Sequence, residues 1–150
     1  MLRGVTTLSV DTKGRMAVPS KYRELLGKSD NGQMVVTMDS QDPCLLLYPL
    51  SEWQAVERQL VALPGLDKGV RKLKRLLMGY ASECELDGAG RILLPALLRD
   101  VAKLGKRVVL MGQGNKFEIW SDEVWEVRQR ELFESRSDET LSTHLESISL

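Results

Sequence analysis

The sequence predicts an α+β fold that arose by tandem duplication of a small β unit, with helices after each copy. Residues 10–19 and 86–95 share the pattern apolar-Asp-x-x-Gly-Arg-apolar-x-apolar-Pro and lie 76 positions apart. Residues 45–53 and 117–125 lie 72 positions apart, and both have an aromatic residue followed by a Trp five positions later. Two matches in the same order indicate a duplication. We therefore expect a pseudo-two-fold axis within the chain.

The first copy has the pattern of a β-β-α-β-β unit. Asp11 and Gly14 suit a tight turn, because Asp accepts hydrogen bonds from its own following backbone and Gly adopts a positive φ. Pro19 favours the start of a short helix, and we expect Gly27 to end it. A unit of about 45 residues is marginal alone, so two copies should pack together. The predicted elements are strands at 5–10 and 15–18, a helix at 20–26, and a hairpin of residues 34–38 and 44–48.

Helices are expected after each copy. Ser51 with Gln54 has the spacing of a capping box, and Asp67 and Ser121 are candidate N-caps for two further helices. In the second copy, residues 107–111 and 116–120 predict a hairpin. The apolar positions expected to face inward are Trp53, Val56, Leu60 and Leu63, then Val70, Leu73, Leu77 and Tyr80, and finally Trp125 and Leu132.

The duplication divides the chain into four parts. We expect a first β unit at 5–52, connecting helices at 53–80, a second β unit at 81–124, and a final helix and polar tail at 125–150.

The balanced net charge hides an uneven distribution. The chain has 21 basic and 21 acidic residues, but residues 1–80 hold 12 against 8, and residues 81–150 hold 9 against 13. A basic half points to a polyanionic partner, while an ordinary solvated surface is the alternative. No apolar run approaches the roughly 18 residues of a membrane span, and the first residues lack the apolar core of a signal peptide. With only two Cys, we expect an intracellular protein.

The sequence disfavours enzymatic and metal chemistry. The single His144 lies in the polar tail, so no catalytic triad is expected. Cys44 and Cys84 are 40 positions apart without His or Cys neighbours, which favours small core residues over a zinc site. Three carboxylates at 83, 85 and 87 alternate along a strand; the pattern is typical of a half-exposed strand, although a divalent cation is a second interpretation. We predict no enzyme activity, no cofactor, no metal and no small-molecule substrate.

The Asp11-Thr12-Lys13-Gly14-Arg15 turn is the sharper signal. It places Lys13 and Arg15 on either side of Gly14 at the tip of a predicted two-stranded ribbon. An Arg side chain can bind two acceptors on a guanine edge, Lys neutralises phosphate, and a ribbon fits the major groove of DNA. The alternative is that Arg15 simply forms an ion pair with Asp11 across the turn.

The order of motifs resembles that of the MraZ family over residues 1–145. The segments that carry the resemblance are Met1-Leu2-Arg3-Gly4, 11–15, Pro19, 43–49, 81–84 and Asp87-Gly88-Ala89-Gly90-Arg91, with Leu2 in place of a more usual Phe. The resemblance implies two AbrB-like swapped-hairpin units in a ring-shaped homo-oligomer, an octamer or similar. It also implies a cytoplasmic, nucleoid-associated transcriptional regulator. Such a regulator binds repeated boxes on promoter double-stranded DNA and represses its own division and cell-wall gene cluster.

The resemblance also assigns residues. The family's DNA-contacting turn corresponds to Lys13 and Arg15, with Arg3 as a neighbour. The second turn keeps Arg91 but lacks a second cation, so Arg91 contacts DNA, has a structural role or contacts another subunit. Related AbrB-like units also hold partner proteins through a tail, so the alternative function is an antidote-like interaction module that uses residues 135–150.

Overall fold

A computed structural model describes all residues, 1–150, as eight strands and six helices. Six strands form one antiparallel sheet, and two short strands form a second. No helix combines the length and the apolar character that crossing a bilayer requires. The strands are β1 (Leu2–Ser9), β2 (Arg15–Ala17), β3 (Gln33–Met38), β4 (Leu45–Pro49), β5 (Ser82–Glu85), β6 (Arg91–Leu93), β7 (Arg107–Gly114) and β8 (Phe117–Ser121). The helices are α1 (Ser20–Asp30), α2 (Leu50–Val61), α3 (Lys68–Leu77), α4 (Ala96–Val101), α5 (Asp122–Glu134) and α6 (Glu139–Leu145).

The two copies exchange their first strands. The large sheet has the order β1-β7-β8-β4-β3-β5, so β1 of the first copy pairs with β7 of the second, and β5 of the second pairs with β3 of the first. The small sheet pairs β2 with β6, again across the copies. This symmetric order confirms the α+β fold and the tandem, swapped-hairpin duplication. Neither copy completes its sheet without the other.

Two apolar clusters hold the sheets and helices together. The larger contains the inward side chains of β2 and β6, Met16 and Ile92, with Leu26 of α1 and Leu98 of α4. The smaller contains the three Trp residues, Cys44 and Tyr48. Burial of such side chains contributes roughly 1.5–3 kcal/mol each, so the swapped arrangement is stabilised by a core that both copies share.

The change of offset between the two sequence matches has its origin in one helix. α1 has 11 residues and α4 has 6, while the strands that follow are similar in length. The four-residue difference between the offsets of 76 and 72 is close to the 3.6 residues of a helical turn. Removing one turn leaves the inward face in phase, so Leu26 and Leu98, 72 positions apart, are both buried.

Two predictions about helix ends were wrong. Gly27 does not end α1, which continues to Asp30 and closes with Asn31 at φ 54° and Gly32 at φ 77°. Ser51 does not cap α2 with Gln54, because the helix begins at Leu50, before Ser51. The Ser51 hydroxyl donates instead to the Asp30 carboxylate at 3.0 Å. The cap motif is therefore used to join α2 to α1.

The remaining helix predictions had mixed outcomes. Asp67 caps α3 as predicted, accepting from the backbone N–H of Val70 at 3.0 Å. Ser121 occupies the N-cap position of α5 but makes no side-chain cap bond. Trp125 is buried as predicted, whereas Leu132 is 48% exposed, because nothing covers that turn of α5.

Candidate nucleic-acid interface

The first turn is built by one carboxylate. The Asp11 side chain accepts from the backbone N–H groups of Lys13 at 3.0 Å and Arg15 at 2.9 Å. The Gly14 N–H donates to the Asp11 carbonyl at 3.0 Å, and Gly14 has φ 88°. These bonds to the ionised form hold the pKa of Asp11 below its ordinary value of 3.8, the Arg15 N–H being the largest cause. The predicted Asp and Gly turn is confirmed.

Arg15 is oriented by the same carboxylate. Its Nε lies 2.7 Å from Asp11 Oδ2, so the ion pair that the sequence left as an alternative does form. Neither Nη atom of Arg15 makes a hydrogen bond within the chain, and a third of the side chain is exposed. The ion pair therefore fixes the guanidinium while leaving its outer edge free to bind two acceptors.

The ribbon at this turn differs from the predicted one. β1 and β2 separate after a single bridge between Val10 and Met16, and β2 pairs with β6 instead. The two-stranded ribbon thus contains one strand from each copy. β1 and β2 diverge because each of them buries its apolar side chains against the other copy, as Met16 of β2 does beside Ile92 of β6.

Arg15 and Arg91 lie on the same outward face of the ribbon. Met16 and Ile92 point into the core, so the alternating neighbours Arg15 and Arg91 lie on the opposite face. Arg15 pairs with Leu93, two positions from Arg91, which places the two arginine Cα atoms roughly 8 Å apart. One surface can therefore present both arginines.

The second turn repeats the geometry without the lysine. Asp87 accepts from the N–H groups of Ala89 and Arg91, both at 2.9 Å, and Arg91 Nε lies 3.0 Å from Asp87 Oδ2. The Arg91 N–H is again the largest cause of a lowered Asp87 pKa. Arg91 is thus oriented like Arg15, but Ala89 stands where the first turn has a cation.

Each turn is packed against the other copy. The Gly14 carbonyl accepts from the Leu94 N–H at 2.8 Å, and a Cβ on Gly14 would lie 2.7 Å from the Arg99 guanidinium. Gly90 has the equivalent contacts with Val18 and Arg23 of the first copy. The position of each turn therefore depends on the partner copy within the chain.

Arg3 does not lie at the turn, contrary to the expectation that it is a neighbour of Lys13 and Arg15. β1 is paired continuously with β7 from Leu2 to Ser9, so Arg3 lies at the far end of the strand. The seven residue steps from Arg3 to Val10 span roughly 23 Å of extended chain. The Arg3 carbonyl accepts a hydrogen bond from the Tyr22 hydroxyl.

Three cations near the first turn, Arg99, Lys106 and Arg107, were missed by the sequence analysis. The Val10 N–H donates to the Lys106 carbonyl at 2.8 Å, and Ser9 pairs with Arg107, so the second copy supplies these cations. Arg99 precedes them in the same copy, and its guanidinium lies against Gly14. They belong to the half of the chain with net negative charge, so only knowledge of the strand exchange could have placed them here.

Other candidate residues of the sequence behave as structural groups. Burial raises the pKa of the Cys44 thiol and raises that of Cys84 to about 12, as expected for inert core residues. Glu83 and Glu85 lie on the exposed face of β5, alternating with the half-buried Cys84. The half-exposed strand predicted from that alternation is therefore confirmed.

The exchanged strands and the two oriented arginines define a class of protein: a tandem swapped-hairpin chain that presents one arginine turn per copy. The chain belongs to the MraZ family. The family model described as "MraZ protein, putative antitoxin-like" matches it twice, over residues 1–76 and 77–146. This confirms the resemblance inferred from the motifs, and the two matches coincide with the two copies.

Its relatives align over nearly the whole chain. The proteins named "Transcriptional regulator MraZ" from Thioalkalivibrio sulfidiphilus and Nitrosococcus oceani are 55% and 52% identical to it, each over 100% of both chains. The protein of the same name from Hydrogenovibrio crunogenus is 48% identical over 99% of this chain and 97% of its own.

Proposed function

We propose that the chain is a sequence-specific DNA-binding transcriptional regulator. The names of its relatives support regulation of transcription. The observation that carries the proposal is the geometry of Arg15, whose Nε is held by Asp11 while both Nη atoms are free of partners in the chain. An arginine oriented in this way needs little further ordering to bind a ligand edge.

Arg15 is assigned to base recognition and Lys13 to the DNA backbone. The free guanidinium edge of Arg15 matches the O6 and N7 acceptors of guanine, a pair worth about 1–3 kcal/mol of discrimination against the wrong base. Lys13 is exposed at the turn and forms no ion pair, which suits contact with phosphate. The Arg15–Leu93 face of the ribbon then lies toward the major groove.

Binding affinity comes from several turns at once. We propose a ring-shaped homo-oligomer, an octamer or similar, that places turns on repeated promoter boxes. Linking modest contacts raises avidity by about 10²–10⁴ when the spacing of the boxes matches the ring. Light scattering of the purified protein measures the subunit number directly.

The regulated DNA is the promoter of the protein's own division and cell-wall gene cluster, and the outcome of binding is repression. The protein is cytoplasmic and nucleoid-associated.

The decisive experiment is a footprint and gel shift on the DNA upstream of the chain's own gene. Arg15→Ala should abolish sequence-specific binding while the size of the assembly stays unchanged. Arg136→Ala removes one exposed positive charge that forms no ion pair and lies far from the first turn in the sequence, and it serves as the control. Full affinity in Arg15→Ala contradicts the assignment.

Arg91 is proposed to contribute less than Arg15. Its guanidinium has the same orientation, but its turn has Gly88 and Ala89 in place of the polar and basic residues of the first turn. Arg91→Ala should therefore weaken binding by a smaller factor than Arg15→Ala. Equal losses would instead mean that both copies read bases.

A second candidate function is a protein-interaction module. α6 lies in the exposed tail with Leu141, Leu145 and Ile148 all substantially exposed, so it offers an apolar stripe without a partner in the chain. Deleting residues 135–150 separates the two functions. DNA binding should survive the deletion, whereas an antidote-like module would lose its partner protein.

A further inference from the structure

A cleft lies between the first turn and the second copy. It has a volume of about 730 Å³, and its two walls come from different copies. One wall is the backbone from Ser9 to Thr12, immediately before Lys13. The other is residues 104–107 together with Arg99, all from the second copy. The cleft therefore exists only because the strands are exchanged.

The cations of the second copy are available at this cleft. Lys103 and Lys106 are exposed and form no ion pair. Arg107 is also exposed and forms one long ion pair, with 3.9 Å between its Nε and Asp122 Oδ2. The Arg99 Nε donates to the Leu94 carbonyl at 3.1 Å, which holds its guanidinium over Gly14. Three cations, Arg99, Lys106 and Arg107, thus line the cleft beside a turn whose one carboxylate is already bonded to Arg15. Lys103 lies with Lys106 and Arg107 in an adjoining cleft, which also contains Asp122 and Glu123.

Their backbone is held in a fixed position relative to the turn. The Lys106 carbonyl accepts from the Val10 N–H, one residue before Asp11, and Arg107 is paired in register with Ser9. Side chains from these two positions therefore start at a constant separation from Arg15. Such fixed cations suit contacts that set the register of a protein on DNA.

The second turn lacks counterparts of Lys106 and Arg107. The bond that corresponds to Val10 with Lys106 is made by the Leu86 N–H to the Gly32 carbonyl, at 3.1 Å. The pair that corresponds to Ser9 with Arg107 is Glu85 with Gln33. Arg23 lies over Gly90 as Arg99 lies over Gly14, but the second turn has Gly32 and Gln33 where the first has Lys106 and Arg107. It also has the Glu85 carboxylate at the position of Ser9.

We propose that Lys106 and Arg107, assisted by Lys103 and Arg99, form a phosphodiester-binding rim that positions duplex DNA against the turn of the first copy. The proposal rests on the proposed DNA-binding function and extends it to the second copy. The second copy therefore contributes cations beside the first turn, and its own turn does not recognise bases as strongly as the first. Arg15 discriminates between bases, and the rim holds the backbone beside it.

The test separates backbone contact from base contact by salt dependence. Each phosphate contact contributes about 0.9 to the slope of log affinity against log salt concentration, which is roughly 3.5-fold in affinity for a fourfold rise in salt. The double variant Lys103→Ala/Lys106→Ala should reduce that slope for every bound turn. It should also weaken binding to the upstream promoter duplex and to a scrambled duplex by the same factor.

The matched control is Arg130→Ala/Arg136→Ala, which removes two exposed cations of α5 and the tail that, like Lys103 and Lys106, form no ion pair. If the control lowers the slope as much as Lys103→Ala/Lys106→Ala, the effect is one of net charge and the rim is refuted. An unchanged slope in the rim variant also refutes it, while loss of binding in Arg15→Ala would leave the proposed function standing. If the unmodified protein binds no duplex at all, the proposed function itself fails.

Inorganic phosphate, added at constant ionic strength, distinguishes the source of the phosphate group. The rim is expected to bind phosphates of the duplex, so millimolar phosphate should leave promoter affinity unchanged in the unmodified protein. If phosphate competes with the promoter for the unmodified protein but not for Lys103→Ala/Lys106→Ala, these cations form a site for free phosphate and the proposal is overturned.

Discussion

At the scale of residues, Gly14 shows how the turn depends on the absence of a side chain. It has φ 88°, and a Cβ there would lie 2.7 Å from Arg99 and 2.9 Å from the Leu94 carbonyl oxygen, which cannot move aside as a side chain can. Gly14→Ala should lower the free energy of unfolding by about 1–3 kcal/mol. Gly88, in the second turn, has open space around it, so Gly88→Ala should change stability by about 0.5 kcal/mol or less. Urea denaturation of the two variants tests the difference, and equal losses would contradict it.

The Asp11 carboxylate makes the stability of the turn depend on pH. Its pKa in the folded state is below 3.8, chiefly because the Arg15 backbone N–H donates to it. Ionised Asp11 therefore stabilises the fold above its ordinary pKa, and this contribution is lost as the pH falls through the lower folded value. The gap in unfolding free energy between the unmodified protein and Asp11→Asn should be constant above about pH 5 and shrink below 3.8. A gap that widens in acid would refute this account of the turn.

At the scale of elements, local sequence signals located most strands and helices but not every helix end. The Asp11 turn and the Asp67 cap were predictable because their bonds join residues close in the sequence. Ser51 has an equally good cap motif, yet it donates to Asp30, 21 positions earlier. Gly27 was expected to end α1, but the helix continues to Asp30 and ends where the N–H groups of Asn31 and Gly32 donate to the Leu26 carbonyl. Tertiary contacts of this kind cannot be derived from local spacing.

The helix α3 is attached to the large sheet by a buried hydroxyl. None of its residues is fully buried, and Thr37 of β3 donates from Oγ1 to the Leu77 carbonyl at 2.7 Å. Thr37→Val should cost about 1 kcal/mol and accelerate amide hydrogen exchange in residues 68–77. Thr143→Val removes a similar bond in the exposed tail and is the control. Unchanged exchange in α3 would mean that its apolar side chains alone hold it.

At the scale of the whole molecule, the duplication was predictable and its electrostatic consequence was not. Dividing the charges at residue 80 made the first half basic and the second half acidic. The exchange of strands brings Lys106 and Arg107 of the acidic half to Ser9 and Val10 of the basic half. Charge counted along the sequence therefore describes neither turn, because each turn is surrounded by both copies. The same exchange fixes β1 as one extended strand and so places Arg3 away from the first turn.

The exchange also makes the two copies inseparable as folded monomers. The connection between α2 and α3 is exposed, with Leu66 95% accessible, so the chain can be divided there without breaking a strand. A fragment of residues 1–65 has β1 without β7 and β2 without β6, and a fragment of residues 66–150 has β5 without β3. Unpaired strands and half of a shared core leave too little buried surface for stability. Neither fragment should fold as a monomer, and mixing them should restore the circular dichroism spectrum of the intact chain in a 1:1 complex measured by light scattering. Cooperative unfolding of either fragment as a monomer would show that its strands find partners within one copy, and that the exchange is not what holds the fold together.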